Sequence, residues 1–98
     1  MQYNLYATFR ILAGGKTFKI DLPDGVTVRQ AVNALVEAQP VLRPHWLDDT
    51  GELRAHVHVF VNGEDVQMLP DGVETPLRSV DVLDFFPPVG GGAYKRCE

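Results

Sequence analysis

The segment Phe86-Pro87-Pro88-Val89-Gly90-Gly91-Gly92, followed by Ala93-Tyr94-Lys95-Arg96-Cys97-Glu98, carries the residue types on which a chemistry can be built. Glycine has no side chain, so a Gly-Gly strand threads a channel too narrow for any other residue. A carboxylate at the end of such a strand can be delivered into the active site of another enzyme. Here six residues follow Gly92, so its carbonyl is an amide. The pattern reads as the precursor of a carrier protein, activated by trimming. Pro87-Pro88 fixes two φ angles and donates no hydrogen bond, so the segment leaves its strand stiffly. Six residues beyond Phe86 reach roughly 20 Å at about 3.4 Å each, enough to enter a neighbouring active site. The plain alternative is a flexible terminus, a common use of such residues.

Other residues with chemical potential carry weaker patterns. His56 and His58 are two apart in a strand-like run, so they share a face and could share a metal. No third ligand stands beside them, since His45 is distant, and they read as solvent-face histidines. Cys97 has no legible activating partner and reads as an incidental thiol. Asp48-Asp49-Thr50-Gly51-Glu52 lacks the spacing of an EF-hand loop and reads as a polar turn. No catalytic residue and no metal site is expected.

The elements that must position the glycine tip follow from periodicity. Met1, Tyr3, Leu5, Ala7, Phe9 and Ile11 alternate with polar residues, which predicts one strand over residues 1–12. Ala13-Gly14-Gly15 predicts a tight turn, and Phe18, Ile20 and Leu22 a second strand completing a hairpin. The period then changes. Thr27 with Gln30 forms a capping box, and Val28, Ala31, Val32, Leu35 and Val36 make an apolar stripe on a helix that Pro40 stops. Residues 40–52 read as an irregular connection, with Trp46 as a lid on a core edge. Leu53–Val61 predicts a third strand, with Val57, Val59 and Val61 on one side and His56, His58 and Phe60 on the other. Asn62-Gly63 is a strong hairpin signal, followed by a short strand at Val66–Leu69 and a last strand at Val80–Phe86.

This order predicts an α+β fold of the β-grasp, or ubiquitin-like, kind: a mixed sheet of four to five strands packed on one helix. The first and last strands lie side by side in the middle, and the chain leaves the sheet at Phe86. Residues 1–88 form the domain and 89–98 a flexible tail. A sheet covered by one helix keeps an open face, so a docking surface is expected at Phe60, Val82, Phe85, Phe86, Pro87, Pro88 and Val89. One of Phe85 and Phe86 faces the core and the other the open face.

The bulk numbers bound the partners. Ninety-eight residues make one domain, 45% apolar and 22% charged, with net charge -4. That sign argues against nucleic acid and against an anionic membrane surface. No run of about 18 apolar residues offers a membrane span, and Met1-Gln2-Tyr3-Asn4 does not begin like a signal peptide. A single cysteine cannot close an internal disulfide. A cytoplasmic location is expected.

The stretch Asp84-Phe85-Phe86-Pro87-Pro88-Val89-Gly90-Gly91-Gly92 resembles the C-terminus of the MoaD/ThiS family of sulfur-carrier proteins, which typically ends Phe-Pro-Pro-Val-Ala-Gly-Gly. Gly90 stands where the family has alanine. The run Leu53–Asp65 is similar to the longer branch of that family, which includes archaeal-type MoaD-like proteins and the CysO-type carriers. The resemblance spans residues 3–92. It implies that an adenylating enzyme of the MoeB/ThiF or ubiquitin-activating kind, consuming ATP, activates the Gly92 carboxylate. A sulfur donor then converts it to a thiocarboxylate. An acceptor enzyme, of the molybdopterin synthase large-subunit or cysteine synthase type, receives the sulfur. The protein would bind no cofactor itself and act as a carrier rather than an enzyme.

The departure from the family is Ala93–Glu98. Some relatives carry such extensions, removed by a zinc metalloprotease of the JAMM type, which implies cleavage between Gly92 and Ala93. A natural pseudo-carrier and a cloning-derived tail are the other readings of this extension. Two readings of other classes stand beside it: a ubiquitin-like modifier joined to lysines through the same tip, and an inert ubiquitin-like interaction module.

Overall fold

The structure, a computed structural model, describes residues 1–87. The expectations for Pro88, Val89, Gly90, Gly91, Gly92, Ala93 and Cys97, and the 88/89 domain boundary, lie outside the described residues.

Strand β1 (Gln2–Leu5) is followed by helix α1 (Ala7–Ala13) and strand β2 (Thr17–Lys19). Helix α2 (Val28–Ala38) comes next, then a 3₁₀ turn at Pro40–Leu42 and the short helix α3 (Arg43–Trp46). Strands β3 (His58–Val61) and β4 (Glu64–Asp65) precede 3₁₀ turns at Val66–Met68 and Gly72–Glu74, and β5 (Val82–Phe86) closes the order. The five strands form one sheet in the order β2-β1-β5-β3-β4. β1 and β5 run parallel at its centre and the other pairs are antiparallel. This is the β-grasp arrangement expected from the sequence, with the last strand leaving from the middle of the sheet.

The helix α2 forms for the reasons legible in its residues. Thr27 Oγ1 accepts from the Gln30 N–H at 3.2 Å and the Gln30 side chain accepts from the Thr27 N–H at 2.9 Å, closing the capping box. Val28, Ala31, Val32, Leu35 and Val36 are its buried residues, and they face Leu5, Leu83 and Phe85 in one continuous core. Asn62 and Gly63 both have positive φ, 50° and 89°, the conformation of a two-residue hairpin between β3 and β4.

Several expectations are corrected. Residues 1–12 are not one strand: the chain is extended only to Leu5 and coils into α1. Phe9, Leu12 and Ala13 fit a period of 3.6 as well as Ala7, Phe9 and Ile11 fit a period of 2. The core takes the helical set, leaving Ile11 78% exposed. Gly14, at φ 78°, caps this helix by donating its N–H to the Arg10 and Ile11 carbonyls, rather than making a hairpin turn. β1 and β2 are still antiparallel neighbours.

The third strand is shorter than Leu53–Val61, because Leu53 and Arg54 turn back to pair with Leu47 and Trp46. The Val66–Leu69 segment is a 3₁₀ turn rather than a strand, since the Asp65 carboxylate accepts from the Gln67 N–H at 2.9 Å and caps it. The short strand lies one step earlier, at Glu64–Asp65. Finally, among the described residues three α-helices rather than one accompany the sheet, and Trp46 is no edge lid: it is fully buried, stacked on Phe85 with centroids 4.2 Å apart and met edge-on by Phe9 at 5.6 Å.

Candidate functional site: the open sheet face below the C-terminal tip

Alternation along β5 divides its side chains. Leu83 and Phe85 are fully buried in the core, while Val82, Asp84 and Phe86 point to the other face. The register puts Asn4 and Phe60 on either side of Asp84, and His58 beside Phe86. Of the residues expected to form a docking surface, Phe60, Val82, Phe86 and Pro87 are half-buried, the first three together on this face. Phe85 does not belong to it: inward alternation gives its whole ring to Trp46 and the core.

Tyr6, Asp84 and Asn4 complete the face beyond the residues expected to form it. Tyr6, just beyond β1, stacks on Phe86 with centroids 4.1 Å apart and planes within 9°. Phe60 meets the same Phe86 edge-on at 5.4 Å and 80°. The three rings make an aromatic group beside the point where the chain leaves the sheet. Asp84 stands next to them. Its Oδ1 accepts from Asn4 Nδ2 at 2.8 Å and from the Tyr6 hydroxyl at 3.2 Å. Thr17 Oγ1 in turn donates to Asn4 Oδ1 at 2.9 Å, so a polar chain crosses β2, β1 and β5. Burial pushes the Tyr6 phenol above its ordinary value, and the Asp84 charge and hydrogen bond push it the same way. Lys16 Nζ lies 5.0 Å from the Tyr6 ring centroid. Asp84 was legible as an outward residue by its alternation with Phe85. Tyr6 was hidden by the false continuation of the first strand.

Away from this face lies a cleft of about 150 Å³, with Val32, Leu47, Val57 and Val66 in its lining. Arg29 at its margin is bonded to both Glu52 and Glu74, and these bonds, the Glu52 one foremost, hold its guanidinium more basic than usual. His45 and His56 are exposed and His58 is half-buried. Among the described residues no group of three His, Cys, Asp or Glu is placed to hold a metal ion, and no helix is long and apolar enough to cross a membrane.

A parallel central strand pair, a capped helix beneath it and an aromatic outer face at the exit of the last strand define a ubiquitin-like protein of the sulfur-carrier and modifier class. The chain belongs to the ThiS family, whose model matches residues 3–92. It is 38% identical over 92 residues to small archaeal modifier protein 1 of Haloferax volcanii, covering 94% of this chain and 100% of that protein. It superposes on the crystal structure of SAMP1 from Haloferax volcanii with a TM-score of 0.83 at 36% identity, covering 94% and 98% of the two chains. It also matches a chain of the Amycolatopsis orientalis BexX/CysO complex with a TM-score of 0.73 at 25% identity, covering 93% and 98%.

Proposed function

We propose that this protein is a sulfur carrier whose working end is Gly92, exposed by removal of the residues that follow it. The observation that carries the reading is the family match through residue 92, which ends on the second glycine of the terminal pair. A carboxylate is a poor electrophile, because its charge is delocalised and oxide is a bad leaving group. Adenylation by a partner enzyme with ATP turns the Gly92 carboxylate into a mixed anhydride with AMP as leaving group. A sulfur donor displaces AMP and leaves the thiocarboxylate. Sulfur is the better nucleophile and is handed on to an acceptor enzyme, of the molybdopterin or cysteine synthase type. The chain contributes docking and a tip without side chains, not a catalytic acid or base, and binds no cofactor of its own. The aromatic face at Tyr6, Phe60 and Phe86 is where the activating partner rests. A JAMM-type metalloprotease cutting between Gly92 and Ala93 supplies the free end.

A second reading has its own support: the relative at 38% identity is named a modifier protein. The same activated Gly92 can be attacked by a lysine amine, giving an isopeptide bond to a target protein. The two readings separate in one experiment. The chain is recovered from its host through an N-terminal tag, alongside a Gly92→Pro variant. Sulfur transfer predicts one low-mass species bearing a thiocarboxylate. Modification predicts a ladder of larger conjugates that the variant loses. A full-length chain with neither product defeats both.

A further inference from the structure

The open face poses a problem that its own residues do not solve. Val82, Phe60 and Phe86 invite an apolar partner surface, but Asp84 lies on the same face, between Val82 and Phe86 along β5 and beside Phe60 across the sheet. Any surface that covers the rings also covers the carboxylate. A covered carboxylate loses its hydration, and two neutral donors do not replace it. Among the described residues Asp84 has no ion-pair partner. Both of its hydrogen bonds fall on Oδ1, so Oδ2 is left to accept. The charged and titratable groups around the face are Lys16 over the Tyr6 ring, Lys19 across from Gln2, Asp65 across from Phe60 and His58 across from Phe86. None of them is paired with Asp84.

We propose that this face receives an arginine side chain from a partner protein, its guanidinium paired with Asp84 and lying against the Tyr6–Phe86–Phe60 aromatic group, inside an apolar ring of partner residues. This names what the partner in the carrier reading must bring, and it rests on that reading only for the partner's existence. Arginine fits where lysine does not. Its planar, weakly hydrated cation stacks on a ring while its fork donates to a carboxylate, whereas an ammonium is a compact, strongly hydrated point charge. Asn4 and Tyr6 hold the carboxylate in one orientation before the partner arrives, so little ordering remains to be done on binding. Lys16 already shows that a cation rests against Tyr6.

The test uses the full chain and two probes, N-acetylarginine amide and N-acetyllysine amide, followed by amide chemical shifts. Arginine is expected to give saturable shifts centred on Asn4, Tyr6, Phe60, Asp84 and Phe86, and to bind several-fold more tightly than lysine. Asp84→Asn is expected to weaken arginine binding by about tenfold. Phe86→Leu keeps the carboxylate but removes the stacking plane, and is expected to erase the preference for arginine over lysine while the protein stays folded. Equal responses to the two probes, shifts spread over all acidic residues, or no saturable shift on this face would overturn the proposal. A thiocarboxylate on the host-derived protein alongside a failed arginine titration would sink this inference alone and leave the carrier reading standing.

Discussion

Trp46 lies flat against Phe85, with ring centroids 4.2 Å apart and planes within 16°. One residue later Phe86 stacks on Tyr6 at 4.1 Å on the opposite face of the sheet. The strand that carries the tip is thus gripped from both sides at consecutive residues, one contact structural and one open to a partner. Trp46→Ala is expected to cost about 3–5 kcal/mol, since both rings of the stack are fully buried. Among the described residues Trp46 Nε1 has no hydrogen-bond partner, so Trp46→Phe removes an unpaired donor along with volume and is expected to cost clearly less. Urea unfolding of the two variants decides it. Equal losses would mean that the stacked ring contributes little.

The neighbouring phenylalanines are expected to separate stability from use. Phe85→Ala opens a core cavity, at about 3–5 kcal/mol. Phe86→Ala loses two aromatic pairs at a half-exposed site, at about 1–2 kcal/mol. The second variant should remain folded, yet return from the host with a smaller thiocarboxylate fraction than the wild-type chain. A normal fraction would remove Phe86 from the docking surface.

At the hairpin, Asn62 adopts φ 50°, and its side chain donates to Asp81 at 3.0 Å and accepts from the Val82 N–H at 2.9 Å. It ties the turn to the start of β5. Asn62→Ala loses both bonds and places a residue with a Cβ but no local hydrogen bond at positive φ, for about 1–2 kcal/mol. Asn62→Gly relieves the backbone but not the bonds, and should fall between the alanine variant and wild type in thermal unfolding.

Acid should weaken the fold through two turns. Hydrogen bonds from Ser79 hold the Asp24 carboxyl below its usual range, and those from Thr50 and Glu52 do the same for Asp48. A carboxyl more acidic in the folded state stabilises it above the unfolded value, near 3.9, and the contribution is lost as pH falls through the folded value. Asp48→Asn is therefore expected to be less stable than wild type at neutral pH, with the gap closing as pH falls through the folded-state value of Asp48. A gap that persists in acid would assign the effect to geometry rather than charge.

The features legible in the sequence were those with one dominant local cause. The Thr27 capping box and the Val28–Val36 stripe predicted α2 with its buried residues, and Asn62-Gly63 placed its hairpin. The side-by-side placement of the first and last strands followed from the element order, and the structure pairs them in parallel. What was hidden depended on competition between periods or on distant partners. Phe9 satisfies both a strand and a helix pattern, and only its meeting with Trp46 selects the helix. Trp46 looked peripheral because the loop around it is polar, although it fills the space beneath Phe85. On the outer face, Phe60, Val82 and Phe86 were readable from alternation. Tyr6 and Asn4 join Asp84 only through the pairing of strands about eighty residues apart in the chain.

The central claim concerns Gly92, and intact-mass measurement of the protein recovered from its own host tests it most directly. The account predicts a chain ending at Gly92, part of it with one carboxyl oxygen replaced by sulfur. A chain that always retains the residues after Gly92, and never gains sulfur under any growth condition, would contradict it.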